Sequence, residues 1–81
     1  MKEIIIWSKD RCPYCDIAKD LLKSKNLEFQ ERNVSNGDWS VEQLKEAVPN
    51  ARTVPQIVID GNIIGGSTDL TKYINEELNV N

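Results

Sequence analysis

The chain carries two cysteines, and only Pro13 and Tyr14 separate them: Cys12-Pro13-Tyr14-Cys15. A dithiol at this spacing can close into a disulfide or open to attack one. The apolar run Ile4-Ile5-Ile6-Trp7 precedes it, and the pattern Ile17-Ala18-Leu21-Leu22 follows it. Cys12 therefore falls where a strand hands over to a helix. A helix N-terminus leaves backbone N–H groups unpaired and carries about half a unit of positive charge. A thiolate there is stabilised, so more of the sulfur is nucleophilic at neutral pH. Lys9 and Arg11 add positive charge on the same approach. Pro13 suits the first helical turn, where its missing N–H is no loss. One turn of helix brings Cys15 back over Cys12. One sulfur can then attack a disulfide while the other releases the product.

Two plainer readings of the pair compete. A C-x-x-C can be half of a zinc site, but zinc usually takes four ligands, and the chain has no histidine and no second cysteine pair. The pair can also be a structural staple, but a bridge closing so short a loop removes little unfolded-state entropy. A redox dithiol at a strand-to-helix turn is the stronger reading.

The bulk composition sets the frame. The 81 residues make one domain, read as 1-81, with one modest core. Composition is ordinary, 40% hydrophobic and 28% charged, which excludes a disordered or disulfide-rich chain. A net charge of -3 disfavours nucleic acid as a partner. No apolar stretch approaches membrane-spanning length, so no membrane partner is expected. The start, Met1-Lys2-Glu3-Ile4, lacks the apolar core of a secretory signal, and the expected compartment is reducing and cytoplasmic.

The remaining elements must position the dithiol. Glu3 to Ser8 reads as a strand buried on both faces. A helix from Pro13 to Ser24 should bury Ile17, Leu21 and Leu22. Leu27 to Val34 reads as a more polar strand, placed at the sheet edge. Asn36-Gly37 marks a turn, and Ser40 with Gln43 forms a capping box. The helix that follows presents Val41, Leu44 and Val48 on one face and stops at Pro49. Val54 to Asp60 is a third strand, Asp60-Gly61 a hairpin turn, and Asn62-Ile63-Ile64 the return. Gly65-Gly66 breaks it, and Ser67-Thr68-Asp69 opens a last helix burying Leu70, Tyr73, Ile74 and Leu78. Asn79-Val80-Asn81 reads as a frayed end. The order is β-α-β-α-β-β-α, an α/β chain with a four-stranded mixed sheet flanked by helices on both faces.

That order resembles the thioredoxin fold. Cys12-Pro13-Tyr14-Cys15, Thr53-Val54-Pro55 and Gly65-Gly66-Ser67-Thr68-Asp69-Leu70 together are similar, more narrowly, to a dithiol glutaredoxin. Thioredoxins typically hold Gly-Pro between their cysteines, and monothiol glutaredoxins lack the second cysteine. The resemblance implies a nucleophilic Cys12, a resolving Cys15 and a cis bond between Val54 and Pro55. It implies that the Val54 backbone pairs with glutathione as with an added strand. It also implies a γ-glutamyl carboxylate held at Gly66, Ser67 and Thr68, with Asp69 facing the ammonium. Simple helix capping by Ser67 or Thr68, with Asp69 in the first turn, explains the same residues without a ligand. Lys9 matches the family lysine that pairs with the glycine carboxylate, and Arg52 is a second candidate for it. Tyr14 either packs against the ligand or shields the disulfide. Trp7 stands where Tyr or Phe is usual, and Trp39 reads as a core-edge aromatic.

The implied activity is glutathione-dependent thiol–disulfide exchange on protein disulfides and glutathione mixed disulfides. Glutathione is the co-substrate, no cofactor is tightly bound, and the expected state is a monomer. Two alternatives stay open. One is an iron–sulfur binding module shared between two chains, against which the stiff Pro13 argues. The other is a dedicated donor to one enzyme, such as ribonucleotide reductase, itself reduced by a flavoenzyme.

Overall fold

The structure, a computed structural model, describes residues 2–77. Leu78 and the tail Asn79-Val80-Asn81 lie outside the described residues. The elements are β1 (Ile4–Ser8), α1 (Pro13–Ser24), β2 (Gln30–Asn33), α2 (Val41–Ala47), β3 (Gln56–Ile59), β4 (Asn62–Gly65) and α3 (Ser67–Glu77). The sheet order is β2-β1-β3-β4, which puts the polar β2 at an edge. β1 and β2 run parallel, with Ile6 opposite Glu31 and Ser8 opposite Asn33. β3 is antiparallel to β1, with Ile6 opposite Ile57, and β4 is antiparallel to β3. The Asp60-Gly61 turn takes φ 51 and φ 82, the pair of positive values that a two-residue hairpin requires.

The unbroken apolar strands are explained by two cores, one on each face of the sheet. Alternation sends Ile4 and Ile6 of β1 to the α1/α3 side, where they meet Ala18, Leu22, Leu70 and Ile74. Trp7 points the other way, into a cluster with Leu44, Val48 and Ala51 beside α2.

Four expectations are corrected. Ile17 is 53% exposed, because α1 turns Cys15, Ala18 and Leu22 inward instead. Val41 is 46% exposed, because as the first residue of α2 it stands at the rim of the cluster and not under it. β2 begins at Gln30, while Leu27 and Phe29 pack against the core from the loop before it. Neither Ser67 nor Thr68 caps α3, since Gly66 holds that position. The Gly66 carbonyl accepts the first helical bond from Leu70, and the Gly66 N–H donates to Asp69 Oδ2 at 3.1 Å. This is the reciprocal half of a capping box without its hydroxyl. The full capping box does form at Ser40 and Gln43.

Candidate active site

Cys12 is the N-cap of α1, and Pro13 is its first helical residue. Arg11, at φ 56, turns the chain sharply into the helix. The preceding loop is pinned to the end of β2: the Asp10 N–H donates to Ser35 Oγ at 2.7 Å, and Asn33 Nδ2 donates to Asp10 Oδ1 at 3.0 Å. Cys12 and Cys15 are joined in a disulfide, with Cα atoms 5.1 Å apart. Cys15 is wholly buried, and Cys12 is 5% exposed. The Cys15 N–H donates to Cys12 Sγ at 3.1 Å, so the helix N-terminus is aimed at that sulfur. Cys12 Sγ lies 3.8 Å from the Val54 carbonyl oxygen. The sulfur carries no proton in the disulfide, so this is a packing contact across the loop.

The Val54–Pro55 bond is cis. Thr53 and Val54 form a wall between two cavities. The first, about 630 Å³, is lined by Tyr14, Pro55, Gly66, Ser67, Thr68 and Asp69 beyond that wall. The second, about 440 Å³, is lined on its far side by Lys9 and Arg52. Every residue that the resemblance implicates, other than the cysteines, therefore borders one of the two cavities. Sequence reasoning missed Gln56 and Gly65 in the first cavity and Val34, Val41, Leu44, Lys45 and Ala51 in the second. Gln56 folds back so that its Nε2 donates to the Thr53 carbonyl at 2.9 Å. Gly65 sits at φ 121, and a Cβ there would run into the Asp69 carboxylate. Asp69 uses Oδ2 on the Gly66 N–H. Tyr14 is 64% exposed at the mouth of the first cavity.

At the end of β1 lies a polar cluster that none of the motifs contains. Ser8 is fully buried, and its hydroxyl donates to Glu31 Oε2 at 2.6 Å. Lys19 donates to the same oxygen at 2.9 Å. The Ser8 hydroxyl, and after it Lys19, hold the Glu31 carboxyl below its ordinary value against the opposing effect of burial. Glu31 in turn raises Lys19 above its ordinary value. The available signal was Ser8 itself, a polar residue on the inward alternation of Ile4 and Ile6. On the opposite face Trp39 has a definite place. Its ring meets Trp7 edge to face at 5.4 Å, and the Arg32 guanidinium lies 4.2 Å from the Trp39 ring and 5.1 Å from the Trp7 ring.

The sequence profile of the Glutaredoxin family matches residues 4–64. The chain belongs to the glutaredoxin family. Glutaredoxin 3 of Escherichia coli strain K12 is 44% identical over 71 residues, covering 86% of this chain and 83% of that protein. The hybrid peroxiredoxin hyPrx5 of Haemophilus influenzae is 43% identical over 72 residues, and the match spans 89% of this chain but 29% of that longer protein. The buckwheat glutaredoxin–glutathione complex superposes with a TM-score of 0.77 at 27% identity, covering 93% of this chain and 70% of that one. Glutaredoxins are thiol–disulfide oxidoreductases, and this chain is a glutathione-dependent member with a dithiol. The four-stranded mixed sheet with its three helices is the glutaredoxin form of the thioredoxin fold. Among the described residues, no helix is long and apolar enough to cross a membrane, and no group of three or more His, Cys, Asp or Glu could hold a metal ion.

Proposed function

We propose that this single glutaredoxin domain reduces protein disulfides and glutathione mixed disulfides, with Cys12 as nucleophile and Cys15 as resolving thiol. The observation that carries this reading is the aim of the α1 N-terminus at Cys12 Sγ beside the Val54 backbone. In the reduced enzyme the Cys12 thiolate attacks a substrate sulfur. A mixed disulfide forms on Cys12, and the other substrate sulfur leaves as a thiolate. Cys15 then attacks Cys12 Sγ, closing the internal disulfide and freeing the second substrate thiol. One glutathione reopens the disulfide as a Cys12–glutathione adduct. A second glutathione attacks that adduct, leaving as oxidised glutathione and restoring the dithiol.

Glutathione lies across the Thr53–Val54 wall in this proposal. Its cysteine pairs with the Val54 backbone just before cis Pro55, in the manner of an added strand. The γ-glutamyl carboxylate meets the N–H groups of Ser67 and Thr68 beside Gly66, whose own N–H is held by Asp69 Oδ2, and the other Asp69 oxygen meets the ammonium. Lys9 and Arg52 take the glycine carboxylate, and Tyr14 closes over the sulfur. The solved buckwheat relative is a complex with glutathione, which supports this placement. The dithiol and the family activity fit a monomer in a reducing, cytoplasmic setting, acting on disulfide-containing or glutathionylated proteins; one such partner class is a ribonucleotide reductase.

The test is turnover of a small glutathione mixed disulfide, with glutathione or a flavoenzyme as reductant in separate arms. Saturable turnover with glutathione supports the reading. Turnover with the flavoenzyme alone overturns it.

A further inference from the structure

The second cavity offers more than a glycine carboxylate needs. Three cations line it, Lys9, Lys45 and Arg52, and no carboxylate does among the described residues. None of the three is ion-paired among those residues. Its floor and rim are apolar, formed by Val34, Val41, Leu44 and Val54. Val41 is 46% exposed there, an apolar side chain left facing solvent. Glutathione ends in glycine, which has no side chain to cover such a floor.

We propose that this groove binds the residue that follows the reacting cysteine in a protein substrate. The fitting partner is an extended segment in which that cysteine is followed by an apolar side chain and then a carboxylate. The apolar side chain covers Val41 and its neighbours, removing apolar surface from water. The carboxylate meets the three cations, which also steer an acidic segment toward the site. The inference rests on the glutathione placement proposed above, because that placement sets the direction of the chain along Val54.

The test uses the Cys15→Ser enzyme, so that the reaction stops after one exchange. Three symmetric disulfides are compared: oxidised glutathione, and the disulfides of γ-Glu-Cys-Leu and γ-Glu-Cys-Lys. In each, the Cys12 thiolate attacks one peptide sulfur, a Cys12–peptide disulfide forms, and the second peptide leaves as its thiolate. The leucine peptide should react faster than glutathione, and about tenfold faster than the lysine peptide. Val41→Ser should remove the leucine advantage, read as the ratio of the leucine-peptide rate to the glutathione rate in the same variant. A leucine peptide no faster than glutathione, or an advantage that survives Val41→Ser, overturns the inference. A Lys9→Ala/Arg52→Ala control separates the two levels. If that control slows glutathione and leucine still gives nothing, only the groove assignment fails. If glutathione ignores both substitutions, the glycine-end placement fails and the groove assignment falls with it.

Discussion

The backbone N–H of Cys15 donates to the sulfur of Cys12 at 3.1 Å, within the first turn of α1. The same donor stabilises a Cys12 thiolate once the disulfide opens. Cys12→Ser should abolish thiol transfer. Cys15→Ser should keep most of the activity on glutathione mixed disulfides, where a second glutathione can do the resolving. Iodoacetamide labelling of the reduced enzyme across pH, read by mass spectrometry, should modify Cys12 first. Preferential labelling of Cys15, or an active Cys12→Ser enzyme, would reverse the roles.

Lys9→Ala should raise the Michaelis constant for glutathione about two- to fivefold and leave the melting curve unchanged, because exposed ion pairs are worth about 0.2–1 kcal/mol. Added salt should reproduce part of that loss in the wild type. Steady-state kinetics across ionic strength check both statements.

Asp69 serves the cap of α3 with one oxygen, so two substitutions should separate its duties. Asp69→Asn keeps an acceptor for the Gly66 N–H. It should weaken glutathione binding a few-fold at little cost in stability. Gly65→Ala drives a methyl into that carboxylate at φ 121 and should cost about 1–3 kcal/mol. Urea unfolding beside isothermal titration with glutathione would show binding and stability moving apart in the first variant and together in the second.

Much of this arrangement could be read from residue types. Helix α1 was placed at both ends by Cys12-Pro13 and the lysines near Ser24, and β4 followed from Asp60-Gly61. In the first cavity, Tyr14, Thr53 to Pro55 and Gly66 to Asp69 are legible through motifs, since three short stretches carry them. What escaped depended on tertiary detail. Periodicity gives a helical stripe but not its rotation, so spacing alone points Ile17 inward where the fold buries Ala18. Val41 was grouped with Leu44 by spacing, and only the placement of α2 decides that it faces a groove. Gly66 could displace Ser67 as cap because Asp69 reaches back to its N–H, a choice that composition does not reveal.

The Ser8–Glu31–Lys19 cluster gives the fold a defined acid response. Glu31 titrates lower folded than unfolded, so its contribution is present above the ordinary value of 4.5 and is lost as pH falls through the depressed folded value. The carboxylate is partly solvent-exposed, so the loss should be modest, about 0.5–1 kcal/mol. Glu31→Gln should flatten stability against pH below about 5. Ser8→Ala should move the Glu31 midpoint back toward its ordinary value and cost about 1 kcal/mol at neutral pH. Carboxyl NMR titration and urea melts at two pH values check this pair.

Arg32 lies against the rings of Trp7 and Trp39, and its Nε is buried with no hydrogen-bond partner among the described residues. Lysine cannot stack as a plane, so Arg32→Lys should lose about 1–2 kcal/mol despite keeping its charge. A double-mutant cycle with Trp39→Ala should recover most of that loss as coupling.

The unequal shielding of the two sulfurs gives the disulfide a front and a back. Cys15 presents nothing to solvent, and what little surface the pair has belongs to Cys12. On the proposed roles, a thiolate arriving from outside meets the Cys12 sulfur, and the sulfur it expels is the inner one. Regiochemistry is thus decided by access before any difference in leaving-group strength can act. On the proposed roles the same handle serves both directions of exchange: a substrate is taken up and a reductant is admitted at Cys12, while Cys15 works from the protein interior.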